Sequence, residues 1–161
     1  MTPAGETLGK IMDTITTIFT DGYHIFALYA ALNGLILLVL GILVVRARVK
    51  TKTLIGDGGK PEMAGPLRAH GNNSEWTPMA VVMMLVLVSL GGPWWLQHVI
   101  GLPLTIGRLL HGFGLSRSIG TTPLRLVGMV LTWFAYIVAI VAILWLLFFP
   151  GTVMPSDAVP Q

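Results

Sequence analysis

The sequence predicts an all-α integral membrane protein, an up-down bundle of four spanning helices in one domain. Three observations carry that prediction. Hydrophobic residues make up 54% of the 161 and charged residues only 11%, far from the balance of soluble domains. The apolar residues are bunched into four blocks long enough to approach or exceed a bilayer crossing, separated by glycine, proline and charge clusters. The basic residues collect near the ends of those blocks, which is a topology signal before it is a binding signal. Nucleic acid is therefore not an expected partner. With no cysteine in the chain, disulfides, thiolate nucleophiles and Cys-ligated metals are excluded.

Residues 1–21 form the lead-in. Leu8, Ile11, Ile15, Ile18 and Phe19 recur at helical spacing, while Glu6, Asp13 and Asp21 fall elsewhere. The segment reads as either a short interfacial helix or an unstructured approach to the membrane. It lacks the basic start, unbroken apolar core and cleavage site of a secretory signal. The membrane domain is expected over 22–149. Its first span runs from about Gly22 to Val45 and ends in Arg46, Arg48, Lys50 and Lys52. Gly56-Asp57-Gly58-Gly59 then marks a turn, with Pro61 and Pro66 as breakers. The second span covers about Leu67 to Leu90. Gly91-Gly92-Pro93 forms an uncharged turn, and Trp94 and Trp95 suit an interfacial aromatic belt. The third span, about Trp94 to Leu115, holds Pro103, Gly107, Arg108 and His111. Thr122-Pro123 reads as an N-cap followed by proline at the first helical position. The fourth span runs to Phe149, where Pro150-Gly151 stops it, and residues 150–161 form a short polar tail. Nine of the ten Lys and Arg residues lie in or beside the first and third connections, leaving Lys10 opposite. The positive-inside rule then puts both connections in the cytoplasm and both termini on the other side.

The second span is anomalous. Its apolar part, Pro78 to Leu90, rises only about 20 Å as a helix, against a hydrocarbon core of roughly 30 Å. The preceding stretch, Arg68-Ala69-His70-Gly71-Asn72-Asn73-Ser74-Glu75-Trp76, must then enter the bilayer in part, and ionisable residues held there signal function. At 100° per residue, Arg68, Asn72, Glu75 and Met79 share a narrow stripe, and His70 points away from it. Glu75 lies fifteen residues from Leu90 and Arg108 fourteen from Trp94. At roughly 21–22 Å each from the outer turn, the two should pair, since neither charge is tolerable alone. His111 follows Arg108 by about one turn. Arg125 lies in the first turn of the fourth helix, where a cation opposes the helix dipole and calls for an anion nearby. Several arginines with an amide and a carboxylate suit a small, multiply anionic ligand that also carries an amine.

The stretch from Arg68 to Trp76 resembles the R-x-H-x-N-x-x-E signature of the MAPEG family (membrane-associated proteins in eicosanoid and glutathione metabolism). Val45-Arg46-Ala47-Arg48, Arg108-Leu109-Leu110-His111 and Pro123-Leu124-Arg125 match further family features in order, so the resemblance covers roughly residues 24 to 147. Gly56-Asp57-Gly58-Gly59 is similar to loops of the bacterial branch, which implies a bacterial inner membrane. The resemblance implies a homotrimer of four-helix protomers binding glutathione, as cosubstrate and without a metal, between subunits near the cytoplasmic face. Carried over by position, Arg46, Arg48, Arg68, His70, Asn72, Glu75, Arg108 and His111 are the expected glutathione-binding residues. Arg125 is the expected catalytic residue, stabilising the glutathione thiolate. Depressing a thiol pKa by about one unit takes about 1.4 kcal/mol of differential interaction. The activity implied is that of a membrane glutathione transferase, with peroxidase activity, acting on lipophilic electrophiles or hydroperoxides. Two positions depart from the pattern: Leu115 and Trp76 stand where some members carry tyrosine.

Other readings compete with that one. The polar stripe could serve only to anchor in headgroups and lock helices together, and one branch of the family suggests a non-catalytic protein that binds lipid or partner proteins. His24 and His98 near one end, with His70 and His111 near the other, have the layout of a two-haem bundle. That reading leaves the Arg-Asn-Glu stripe unexplained. Trp133 and Tyr136 read as packing or lipid contact.

Overall fold

The computed structural model describes residues 3–149; the tail expected over 150–161, with its Pro150-Gly151 stop, lies outside them. Among the described residues the chain is all-helical, in five helices: α1 (Pro3–Thr20), α2 (Gly22–Thr51), α3 (Pro61–Ser89), α4 (Trp94–Arg117) and α5 (Pro123–Phe148). Three of them, α2, α4 and α5, are long and apolar enough to cross a membrane. At 29 residues α3 is long enough, but its polar first half sets it apart from those three.

The side-chain contacts fix how the helices run. Gly22 of α2 lies against Val88 of α3, and Gly41 against His70, so α2 and α3 are antiparallel. Gln97 of α4 donates to the Met84 carbonyl of α3, and Gly107 of α4 meets Gly128 of α5. Successive helices from α2 to α5 therefore alternate in direction. α2 and α4 run parallel, joined at Tyr29–Gly101, Asn33–Thr105 and Leu40–Gly112. Two apolar clusters fill the interior. The larger gathers Ile25, Tyr29, Met84, Leu87, Ile100, Leu104 and Ala135 toward the Gly91-Gly92-Pro93 turn. The smaller gathers Leu40, Ala69 and Leu115 toward the other end. Arg108 lies between them along α4.

Several helix ends differ from expectation. α2 continues past Val45 to Thr51, carrying Arg46, Arg48 and Lys50 on helix. Cations favour a helix C-terminus, so this charge run prolongs the helix instead of ending it. The end comes at Lys52, whose φ of 53° makes it a left-handed C-cap. α3 starts at Pro61 and not Leu67, with Pro66 and Pro78 inside it. Pro61 occupies a first-turn position, where its missing N–H costs nothing; Pro66 is not a breaker. At Thr122 the expected cap is present, its hydroxyl accepting from the Arg125 N–H at 3.3 Å. Residues 3–20 are helical, and Asp21, in extended conformation, separates α1 from α2 while its carboxylate accepts from the His24 N–H at 2.9 Å.

Candidate functional site

A crossing of glycines positions the site. A Cβ on Gly128 would stand 2.6 Å from the Gly107 carbonyl oxygen and 2.7 Å from the His111 nitrogen. The backbones of α4 and α5 thus touch directly, which small residues allow in membrane helices. Two buried side chains emerge from this crossing, Arg108 (1% exposed) and His111 (5%).

Arg108 donates through Nη1 to the Asn72 amide oxygen at 2.9 Å and through Nη2 toward the Met129 sulfur at 3.5 Å, while its Nε is buried without a partner among the described residues. The expected Glu75–Arg108 pair is not formed. Among the described residues the ion pairs are Lys10–Glu6 and His24–Asp21, and Glu75 faces outward. The register explains the difference. α3 ends at Ser89 and α4 begins at Trp94, so Asn72 is seventeen residues from its end of the turn and Arg108 fourteen. Opposing them shifts α3 by about three residues, roughly 4.5 Å at 1.5 Å per residue. That shift brings the amide, one turn before the carboxylate, to the arginine.

Arg68 and Glu75 are exposed on α3, with Asn72 half-buried between them. Neither charged side chain has a hydrogen bond or ion pair among the described residues. His70, on the other side of α3, packs its ring 3.6 Å from the Cβ position of Gly41. It lines a groove of about 630 Å³ with Arg46 and the apolar face of α2. Arg46 is exposed, whereas Arg48 is turned into the following loop, where Nη1 donates to the carbonyls of Thr53, Leu54 and Gly56. Arg48 therefore has a local structural role, closing the loop after α2.

Arg125 is half-buried. Its Nη1 donates to the carbonyls of Ile119 (2.9 Å) and Gly120, and its Nε is buried without a partner among the described residues. The loop carbonyls supply the negative partner that its place at a helix N-terminus calls for. The aliphatic stem lies 3.1 Å from the Cβ position of Gly114. The arrangement thus has a cationic interior (Arg108, Arg125) at the α4–α5 crossing and an outward stripe on α3 bearing Arg68 and Glu75.

Sequence patterning alone did not reveal Met129, which borders Arg108. Nor did it reveal the partner of Tyr136, whose hydroxyl donates to the Trp76 carbonyl while the two rings meet edge-on at 5.3 Å. Tyr136 bears out the packing reading, and Trp133 is half exposed. Of the two departures from the family pattern, Trp76 holds this ring contact and Leu115 is buried against Leu40 and Ala69. The histidines have separate surroundings: His24 bonds Asp21, His98 bonds Tyr29, His70 faces Gly41 and His111 faces Gly128.

The chain is 38% identical over 119 residues to the inner membrane protein YecN of Escherichia coli K12, covering 74% of this chain and 89% of that protein. YecN of a second strain, Escherichia coli O6:H1, gives the same values. No solved structure matches. A profile of the MAPEG family matches residues 26–145, a stretch that contains α3, α4 and nearly all of α2 and α5. This membrane protein belongs to the MAPEG family.

Proposed function

We propose that this protein is a membrane glutathione transferase that generates the glutathione thiolate for attack on lipophilic electrophiles. The observation that carries the reading is the state of the α3 stripe. Arg68 and Glu75 are exposed, with no partner among the described residues, beside the Arg108–Asn72 pair. Charged groups left open beside apolar helix faces are expensive unless a ligand or a second copy satisfies them. Glutathione suits them: its carboxylates match Arg68 and the cationic interior, and its amine matches Glu75. Arg46, His70 and His111 complete the binding set in this reading, and Arg48 acts by holding the loop. The polar half of α3 enters the bilayer as a fourth span, and a homotrimer lets the stripe of one copy face a neighbour. The site then lies near the cytoplasmic face of an inner membrane, with both termini on the opposite side.

Arg125 is fixed by the carbonyls of Ile119 and Gly120, so a thiolate meets a positioned cation and not a mobile one. The thiol proton leaves to solvent. The sulfur lone pair then forms a carbon–sulfur bond as the electrophile's leaving group departs with its bonding pair. With a hydroperoxide, the thiolate sulfur bonds the terminal oxygen as the O–O bond breaks, giving glutathione sulfenic acid and an alkoxide that takes a proton from solvent to leave as the alcohol. A second glutathione then displaces hydroxide, which leaves as water, to give glutathione disulfide.

A non-catalytic member binding lipid or partner proteins is the second reading. It is favoured by Arg125 already having carbonyl partners. Stopped-flow ultraviolet detection of thiolate on mixing the solubilised protein with glutathione separates the two. A thiolate signal that is lost in Arg125→Ala supports the enzyme; no signal in the native chain, or an undiminished one in the variant, refutes it.

A further inference from the structure

Helix α1 lies outside the stretch that matches the family, which begins at residue 26. On its helical wheel Leu8, Ile11, Met12, Ile15, Ile18 and Phe19 occupy one arc of about 120°, while Glu6, Lys10, Asp13 and Thr17 lie opposite. The large apolar side chains other than Ile18 are at least 46% exposed. The polar side is internally satisfied, with Lys10 paired to Glu6 at 2.9 Å and Thr17 bonded to the Asp13 carbonyl.

The far end of α1 is clamped. The His98 ring stacks on Phe19 at 6.2 Å, its Nε2 hydrogen-bonds the Phe19 carbonyl at 3.2 Å, and its Nδ1 bonds the Tyr29 hydroxyl at 2.9 Å. Trp94 meets the same ring edge-on, and Trp95 beside it is half exposed. α1 is thereby joined to the end of the spanning helices where indoles gather, which is the level of a membrane–water interface. Extended Asp21 breaks the helical path between α1 and α2, so the two are not one long rod.

We propose that α1 is an interfacial helix that docks on the lipid surface, with the Leu8–Phe19 stripe buried at the acyl boundary and the Glu6–Asp13 side in water. The occupant is lipid, because the stripe is continuous with the surface of a membrane protein through the His98 clamp. Its acidic residues, Glu6 and Asp13, outnumber Lys10, so apolar burial and not attraction to anionic headgroups drives docking. Docking does not depend on glutathione chemistry.

The cysteine-free chain gives a clean test. Single cysteines at Ile11, Ile15, Asp13 and Thr17 are spin-labelled in the full-length protein in nanodiscs, and their accessibility to oxygen and to a water-soluble nickel chelate is compared. Labels at 11 and 15 are expected to favour oxygen by several-fold, and labels at 13 and 17 the chelate, equally in zwitterionic and in anionic bilayers. Equal chelate access at all four positions overturns the proposal. So does mutual dipolar broadening of the labels at 11 and 15, which would mean that a second copy covers the stripe. Alternation confined to anionic bilayers overturns the apolar account.

Discussion

Replacing Gly128 by alanine tests whether the α4–α5 crossing holds the site. The added Cβ would stand 2.6 Å from the Gly107 carbonyl oxygen, 2.7 Å from the His111 nitrogen and 2.8 Å from the His111 Cβ. All three obstacles are backbone or Cβ atoms, which cannot rotate away. Carbon contacts settle at about 3.5 Å or beyond, so the helices must part by close to an ångström. Overpacking of this kind costs roughly 1–3 kcal/mol, and the rigid neighbours put Gly128→Ala at the upper end. The better helix propensity of alanine returns at most about 1 kcal/mol. A net loss of about 2 kcal/mol corresponds to a fall of roughly 4–8 °C in melting temperature for a chain of this size. Scanning at one fixed heating rate in one detergent is the appropriate assay, because such unfolding is often irreversible. Gly34→Ala is the control: nothing stands within 4 Å of its Cβ position, so it should melt at or slightly above the native temperature. A Gly128→Ala protein that melts within a degree of the native chain would refute the close crossing.

Two further outcomes follow from the site and its surroundings. Glu75→Gln should leave stability within about 0.5 kcal/mol, as at an ordinary surface position, while weakening glutathione binding measured by calorimetry; a loss of about 3–5 kcal/mol would instead reveal a buried ion pair. At the start of α2, hydrogen bonds from His24 hold the Asp21 carboxyl below its ordinary pKa. A depressed pKa adds stability that is complete above the unfolded value near 4 and is lost as pH falls through the folded value. Amide protection of residues 22–24 should therefore decline below about pH 4 in the native chain but stay flat in Asp21→Asn, which keeps a good cap; parallel profiles would disprove the coupling.

The helical class and the turn residues were legible because they depend on local composition, whereas only three of the four expected spans are apolar enough to cross a membrane. The bounds of α2 and α3 were less legible. A run of Arg46, Arg48 and Lys50 looks like a helix end, yet their charges favour the C-terminal dipole and α2 continues through them. Pro66 looks like a breaker, but packing against α4 retains it within α3, where Gly65 lies against the Leu115 and Ser116 carbonyls. The candidate residues were visible by type and spacing, whereas their pairing was not. Counting from a shared turn assumes that the helices leave it level, and the three-residue offset between α3 and α4 replaced Glu75 by Asn72. The glycine crossing was invisible for a related reason: Gly107 and Gly128 gain meaning only when their faces are known to meet.

That offset changes what the site can do. An Arg108–Glu75 pair would be neutral, with the guanidinium spent on a carboxylate. Asn72 offers Arg108 a single neutral oxygen, and its Nε has no partner among the described residues, so no carboxylate among those residues pairs with the guanidinium. Arg125 adds a second cation, and its side-chain hydrogen-bond partners among the described residues are carbonyl oxygens. On the proposed reading the interior attracts an anion, while Glu75, left outward on α3, takes an amine. A ligand with both groups would be held in one orientation, because reversing it would set its amine against the arginines and its carboxylate against Glu75. On the proposed reading, orientation comes from the separation of these charges along α3 and α4, and the amide that replaced the carboxylate is what preserves that separation.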